Sequence, residues 1–148
     1  MRIVKDMLKS KKTDIYSIGP KATVFEALTV MGEKEIGALM VMDETSVVVG
    51  IVSERDYARK IALLGKTSKE TAVEDIMTPV ADIYKVKPET SVEDCMVLIT
   101  AKKIRHLPVF EGSNFVGLVS IGDVVKSIIA EQETLIEHLS NYIAGKYV

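Results

Sequence analysis

"GIVSERD" stands at residues 50–56 and "GLVSIGD" at residues 117–123. Both read Gly, two apolar residues, Ser, two free positions, Asp. A short apolar run leading into Ser-x-x-Asp is the signature of a strand that turns directly into a helix. The Ser side chain caps the first turn, and the acid three residues on returns a bond to the Ser main chain. The phrase occurs twice in 148 residues, so self-similarity over a longer range is the first thing to look for.

The repeat extends over most of the chain. With a shift of 68, Asp14, Ile15, Tyr16, Pro20, Val24, Lys34, Ile36, Leu39 and Val41 fall on Asp82, Ile83, Tyr84, Pro88, Val92, Lys102, Ile104, Leu107 and Val109. One residue drops out in a turn. Then Val49, Gly50, Val52, Ser53 and Asp56 fall on Val116, Gly117, Val119, Ser120 and Asp123. The lead-ins match as well, "VKDML" at 4–8 with "VEDIM" at 73–77.

Each copy predicts β-α-β-β-α. A short strand (15–18, 83–86) and a Pro-containing turn come first. A helix follows, opened by Thr23 with Glu26 or by Ser91 with Asp94. Val24, Ala27, Leu28 and Met31 have helical spacing, as do Val92, Cys95, Met96 and Ile99. Two strands separated by "DETS" or "EGSN" come next, then a helix from Ser53 or Ser120. In the join, "GKTSKE" predicts a helix stop and a new cap, and "VEDIMTP" a short helical turn ending before Pro79. The fold class is α+β, with repeats at about 1–70 and 71–148 expected to pack sheet to sheet about a pseudo-twofold axis. The last helix carries Val124, Val125, Ile128, Ile129, Leu135, Ile136, Leu139 and Ile143 along one face. That stripe is longer than so small a body can cover, which predicts contact with another subunit.

Composition bounds the function. The chain is 47% hydrophobic and 27% charged with a net charge of −2, so it folds and has no global attraction to nucleic acid or acidic lipid. Trp is absent and aromatics are 5%, which leaves little for base-stacking platforms. A single cysteine, Cys95, excludes an internal disulfide and suits a reducing compartment. No signal-peptide pattern and no apolar run of bilayer-spanning length occurs, so the expectation is a soluble, cytoplasmic protein without membrane partner.

The candidate residues each have a plain structural role beside a functional one. Ser53 with Asp56, and Ser120 with Asp123, are helix-start boxes in any isolated copy. The same geometry offers free N–H groups, a positive dipole end and a carboxylate able to accept from a cis-diol. "IRHLPV" at 104–109 places Arg105 and His106 at a strand entry, where the first repeat has Gly37 and Ala38. The pair is an edge-strand charge cluster or a phosphate-recognition pair. Arg55 and Arg59 add positive charge after Ser53. Lys9, Lys11 and Lys12 form a short basic run. Tyr16 and Tyr84 occupy matching positions and fit core packing, or cover for a flat base. Cys95 lies on an apolar helix phase, as a buried thiol does. No metal-ligand spacing and no catalytic motif is present, so neither a metal nor enzymatic activity is expected.

In combination, two β-α-β-β-α copies, each ending in Gly-h-h-Ser-x-x-Asp, with "IRHLPV" before the final hairpin, resemble the tandem CBS-domain proteins. The resemblance covers nearly the whole chain and is to the small stand-alone bacterial type. It implies a Bateman module: a regulatory, adenosine-sensing protein with clefts between its repeats. One cleft would take Asp14, Tyr16, Ile36, Gly37 and Ala38 with Ser120 and Asp123, Asp123 holding ribose and Lys11 standing in for the missing Arg-His pair. The other would take Tyr84, Ile104, Arg105 and His106 with Ser53, Arg55 and Asp56, and more weakly Thr78. The ligand implied is AMP, ATP or NAD, in energy or redox sensing. The implied partners are a second copy in a homodimer and a separate regulated protein. The alternative is a protein-interaction or dimerisation module whose clefts are vestigial.

Overall fold

The computed structural model describes residues 1–11 and 15–145. They fall into two compact units. The repeat-1 unit holds the described residues of Asp14–Ile83. The repeat-2 unit holds those of Met1–Thr13 and Tyr84–Val148. The architecture is α+β with the duplicated order read from the sequence.

In the repeat-1 unit, β1 (Ser17–Ile18) lies parallel to β2 (Ala38–Met42). The sheet continues antiparallel through β3 (Val48–Ser53) to β4 (Thr78–Pro79). Helix α2 (Val24–Lys34) starts at a complete Thr23/Glu26 capping box and lays Val24, Ala27 and Met31 on a core with Leu39, Val41 and Val52. It ends at Glu35 with φ 55, a left-handed cap on a residue other than glycine. The helix after Ser53 begins as α3 (Glu54–Tyr57) and passes into a π-helical turn at Ala58–Ala62. That turn delivers Ile61 to the core. Gly65, at φ +70, is where the predicted helix stop falls. The new cap expected after it does not form. Val73–Asp75 is a single 3-10 turn whose N-cap, Ala72, has no side-chain bond to offer.

In the repeat-2 unit, β5 (His106–Glu111) and β6 (Asn114–Ser120) make an antiparallel hairpin with His106 opposite Ser120. Helix α4 (Val92–Lys102) starts at Ser91, which accepts from the Asp94 N–H, and ends at Lys103 with φ 54. Helix α5 (Ile121–Ile143) follows directly from β6. The strand expected at 83–86 shrinks to one parallel bridge, Val86 to Val109. Its main chain donates to Pro108 and accepts from Phe110, and that is the whole pairing. The core is Val4, Met7, Val86, Val92, Cys95, Ile99, Leu107, Val109, Val119 and Val124.

The lead-ins are exchanged. Helix α1 (Val4–Ser10), which precedes the first repeat in sequence, belongs to the repeat-2 unit, while 73–79 belongs to the repeat-1 unit. The hydrogen bonds that dock them are copies of each other. The N–H of Val4 donates to Thr90 at 2.8 Å, that of Lys5 to Pro88 at 2.9 Å, and that of Val92 back to Arg2 at 3.1 Å. In the repeat-1 unit Val73 donates to Ala22 at 2.8 Å, Glu74 to Pro20 at 3.0 Å, and Val24 to Thr71 at 2.9 Å. Val4 with Met7, and Val73 with Ile76, are buried. At about 1.5–3 kcal/mol per fully buried aliphatic side chain, each lead-in is an integral part of its host core.

The twice-written glycine now has a cause. A Cβ on Gly50 would lie 2.6 Å from Met77 Sδ and 2.7 Å from the Thr78 carbonyl. One on Gly117 would lie 2.7 Å from Leu8 Cδ2. In both units the docked lead-in lies against the strand at this point, putting Met77 and the Thr78 carbonyl at Gly50, and the Leu8 side chain at Gly117, where a Cβ would stand.

Candidate functional site

Each unit delivers Ser-x-x-Asp the same way: the second strand of a hairpin ends at the Ser and the helix starts on the next residue. At Ser120 the backbone is extended (φ −99, ψ 164). Its N–H donates to Asp123 Oδ2 at 2.8 Å, and the Asp123 N–H donates to Ser120 Oγ at 3.2 Å. At Ser53 the same bonds are 2.9 and 3.3 Å, and the Ser53 hydroxyl adds a donation to Asp56 Oδ2 at 3.1 Å. The first N–H of each helix is met from the strand alongside. Ile121 donates to the Arg105 carbonyl at 2.8 Å and Glu54 to the Gly37 carbonyl at 3.1 Å. Both acids are therefore fixed by the fold before any ligand arrives.

Each acid also holds a lysine, and here the repeats differ. Asp56 Oδ1 meets Lys60 at 3.3 Å, one turn along the same helix, and Lys60 also donates to the Ile76 carbonyl at 2.8 Å. Asp123 Oδ2 meets Lys11 at 2.9 Å, and Lys11 donates to the Leu118 carbonyl at 2.9 Å. Lys11 is 112 positions away in sequence. Burial raises the Asp123 pKa, but the Ser120 N–H and the Lys11 ammonium outweigh it and the net displacement is downward.

His106 stands across the ladder from Ser120. Burial is the main cause that pushes its pKa down, from 6.5 to about 4. Lys11 and Arg105 press in the same direction, and Asp123 pulls against them. At neutral pH His106 is an uncharged imidazole beside a lysine–carboxylate pair, a donor or acceptor rather than a cation. Arg105, next to it, is exposed.

Lys11, Ile104, Arg105, His106, Ser120 and Asp123 all belong to the repeat-2 unit, with His106 paired to Ser120, whereas the resemblance assigned Arg105 and His106 to the cleft of Asp56. Ile36, Gly37, Ala38, Ser53, Arg55, Asp56 and Thr78 belong to the repeat-1 unit, where Thr78 pairs with Ile51 in β4. Tyr16 packs against the repeat-1 core with the Lys34 ammonium 5.3 Å from its ring centroid. Tyr84 has Lys102 at the same 5.3 Å and is exposed. These matched cation–π pairs give the tyrosines a structural task in both repeats. Asp14 lies outside the described residues. Cys95 is buried, and burial pushes its thiol up to about 11. Among the described residues no three His, Cys, Asp or Glu side chains come together to hold a metal, and no helix is long and apolar enough to cross a membrane. The sequence reading passed over Lys60, although its i, i+4 spacing from Asp56 was visible.

A strand–Ser-x-x-Asp–helix unit built twice, with reciprocal lead-ins, defines a class of duplicated α+β module. The family model for the CBS domain matches residues 4–63 and 73–130, and the chain belongs to the CBS-domain family, two motifs in tandem. It is 42% identical over 127 residues to the CBS domain-containing protein CBSX3, mitochondrial, of Arabidopsis thaliana. That match covers 84% of this chain and 62% of the plant protein, so the chain spans less than two thirds of that relative's length. A solved CBS-domain protein from Burkholderia ambifaria superposes with a TM-score of 0.83 at 46% identity, covering 88% of this chain and 96% of that one. The structure of CBSX2 in complex with AMP is similar at a TM-score of 0.71 and 26% identity, covering 89% and 99%.

Proposed function

We propose that the protein is a regulatory module, without catalysis of its own, that binds an adenosine nucleotide at each Ser-x-x-Asp and signals to a separate protein. The observation that carries this is the doubly built acid. Asp56 and Asp123 are each oriented by a serine N–H at a helix start, the positive end of the helix dipole. Both the cap and the Lys11 bond of Asp123 fall on Oδ2, which fits Oδ1 for a sugar hydroxyl. The AMP held by CBSX2 supports the ligand class. Lys11, His106 and Arg105 are the phosphate side of one unit, and Arg55, Ser53 and Thr78 that of the other. Ile36, Gly37, Ala38, Ile104, Tyr16 and Tyr84 are the strand-entry positions for the base. AMP, ATP and NAD share the adenosine half that this arrangement reads.

Calorimetric titration with AMP, ATP and NAD tests the reading. Asp56→Asn and Asp123→Asn keep a cap acceptor and remove the charge. Loss of a charge-assisted bond of roughly 1.5–3 kcal/mol weakens binding roughly tenfold to a hundredfold at the altered site. Unchanged affinity in the double variant removes the ribose assignment. No heat from any of the three at millimolar concentration removes the nucleotide reading.

A second reading, self-association, is favoured by α5. Ile129, Leu135, Ile136, Leu139 and Ile143 remain exposed along it, a stripe of the kind that marks an interface. A second copy of this chain is the proposed cover. Leu135→Glu with Leu139→Glu is expected to convert dimer to monomer in sedimentation velocity. A wild-type protein that sediments as a monomer ends this reading.

A further inference from the structure

Next to its acid, the second repeat has a serine where the first has a lysine. With Asp56 on Asp123, Lys60 falls on Ser127. In the repeat-1 unit the Lys60 amine fills its place, bonded to Asp56 and to the Ile76 carbonyl. In the repeat-2 unit a serine stands there, and Lys11 reaches the acid from another direction. What is left is a cavity of about 440 Å³ between α1 and α5, lined by Arg2, Met7, Ser10, Lys11, Asp123, Lys126, Ser127 and Ala130. All of these belong to one unit.

The lining has a consistent chemistry. Three cations face one carboxylate, and Lys11 already neutralises that carboxylate. Among the described residues, Arg2 makes one long bond, Nη2 to Ser10 Oγ at 3.4 Å. Ser127 is 4% exposed, and its Oγ has no hydrogen-bond partner among the described residues. A buried hydroxyl without a partner costs about 1–3 kcal/mol unless something supplies one. Met7 and Ala130 add an apolar wall. A planar guanidinium and an ammonium around one space, with a buried unpartnered hydroxyl in its wall, match the oxygens of a phosphate group. The volume is in the range that holds a small organic ligand.

We infer that this cavity is a second ligand site, for a phosphorylated small molecule, with the phosphate held by Arg2, Lys126 and the Ser127 hydroxyl. It stands whether or not the nucleotide reading does, because none of these three residues belongs to that site. The two sites share the Lys11–Asp123 wall, so occupancy of one alters the other.

The probe is inorganic pyrophosphate, titrated into the full-length protein at constant ionic strength and followed by calorimetry and melting temperature. Sulfate serves as the anion control. Wild type is expected to bind pyrophosphate with a raised melting temperature, and sulfate far less. Arg2→Ala with Lys126→Ala is expected to weaken binding about tenfold or more. AMP titrated into the Arg2/Lys126 variant separates the two claims: retained AMP affinity with lost pyrophosphate binding supports a distinct site. Ser127→Ala is expected to weaken binding several-fold. Equal pyrophosphate affinity in wild type and the Arg2/Lys126 variant overturns the inference, as does no binding at 10-millimolar order or sulfate binding as tight as pyrophosphate.

Discussion

Adding one methyl group to each of the paired glycines is expected to have unequal effects, although the sequence writes the two sites alike. At Gly50 the new Cβ meets Met77 Sδ at 2.6 Å, Met77 Cγ at 3.1 Å and the Thr78 carbonyl at 2.7 Å. The sulfur can move, but the carbonyl is part of β4, paired to β3 through Gly50–Pro79 and Ile51–Thr78. Relief requires β4 to separate from β3. At Gly117 the new Cβ meets only Leu8 side-chain carbons, at 2.7, 3.4 and 3.6 Å, and a rotamer change of a half-buried leucine relieves it. Overpacking costs about 1–3 kcal/mol, while Gly→Ala recovers about 0.4–1 kcal/mol through the unfolded chain. Gly50→Ala sits at the top of the first range, a net loss of about 2 kcal/mol. Gly117→Ala sits at the bottom, a net change between zero and about 1 kcal/mol. Equilibrium urea unfolding of the two variants beside wild type measures this. If Gly117→Ala is destabilised as much as Gly50→Ala, or more, the distinction between a backbone and a side-chain obstacle is refuted.

Two further outcomes follow from the same geometry. Glu35 caps α2 at φ 55 with an exposed side chain, so Glu35→Gly is expected to stabilise by about 0.5–1 kcal/mol in denaturant unfolding; a loss of stability counts against strain at this cap. His106 is held at about 4 in the fold against 6.5 as the free group, so between those values the unfolded chain takes up a proton that the folded chain refuses. Its contribution is fully present above pH 6.5 and declines by about 1.4 kcal/mol per pH unit down to about pH 4. His106→Gln is expected to flatten that limb of a stability–pH curve, and an unchanged slope excludes His106 as its source.

What the sequence made legible was local. The periodicity of Val24, Ala27 and Met31, the boxes at Thr23, Ser53 and Ser120, and the turn residues between strands all involve groups within a few positions of one another, where spacing alone decides geometry. The exchange of lead-ins was not legible. "VKDML" and "VEDIM" match each other equally well whichever repeat hosts them, and only the docking of Val4 on Thr90 and Val73 on Ala22 shows the choice. The resemblance put Lys11 and Asp123 in one cleft, but spacing could not show their direct bond, since 112 positions separate partners that the fold brings to 2.9 Å. The π-helical turn at Ala58–Ala62 could not be told from an α-helix by pattern, because the packing of Ile61 selects it. The first strand of the second repeat failed because β-propensity at 83–86 predicts pairing, whereas only Val86 finds a partner.

The difference between the two lysines decides what each acid is tied to. Lys60 lies on the same helix as Asp56, so their pair is an i, i+4 contact of a few tenths of a kcal/mol, formed by the local turn. A ligand that takes over Asp56 disturbs that turn and the carbonyl of Ile76 beside it. Lys11 reaches Asp123 from the end of α1, and the same amine ties the Leu118 carbonyl of β6. Anything that competes for Asp123 therefore acts on the end of α1, and anything that fixes the end of α1 acts on Asp123. Linkage requires the two effects to be equal in free energy. Of two acids built to one pattern, Asp56 is tied to the next turn of its own helix, and Asp123 to a residue 112 positions away.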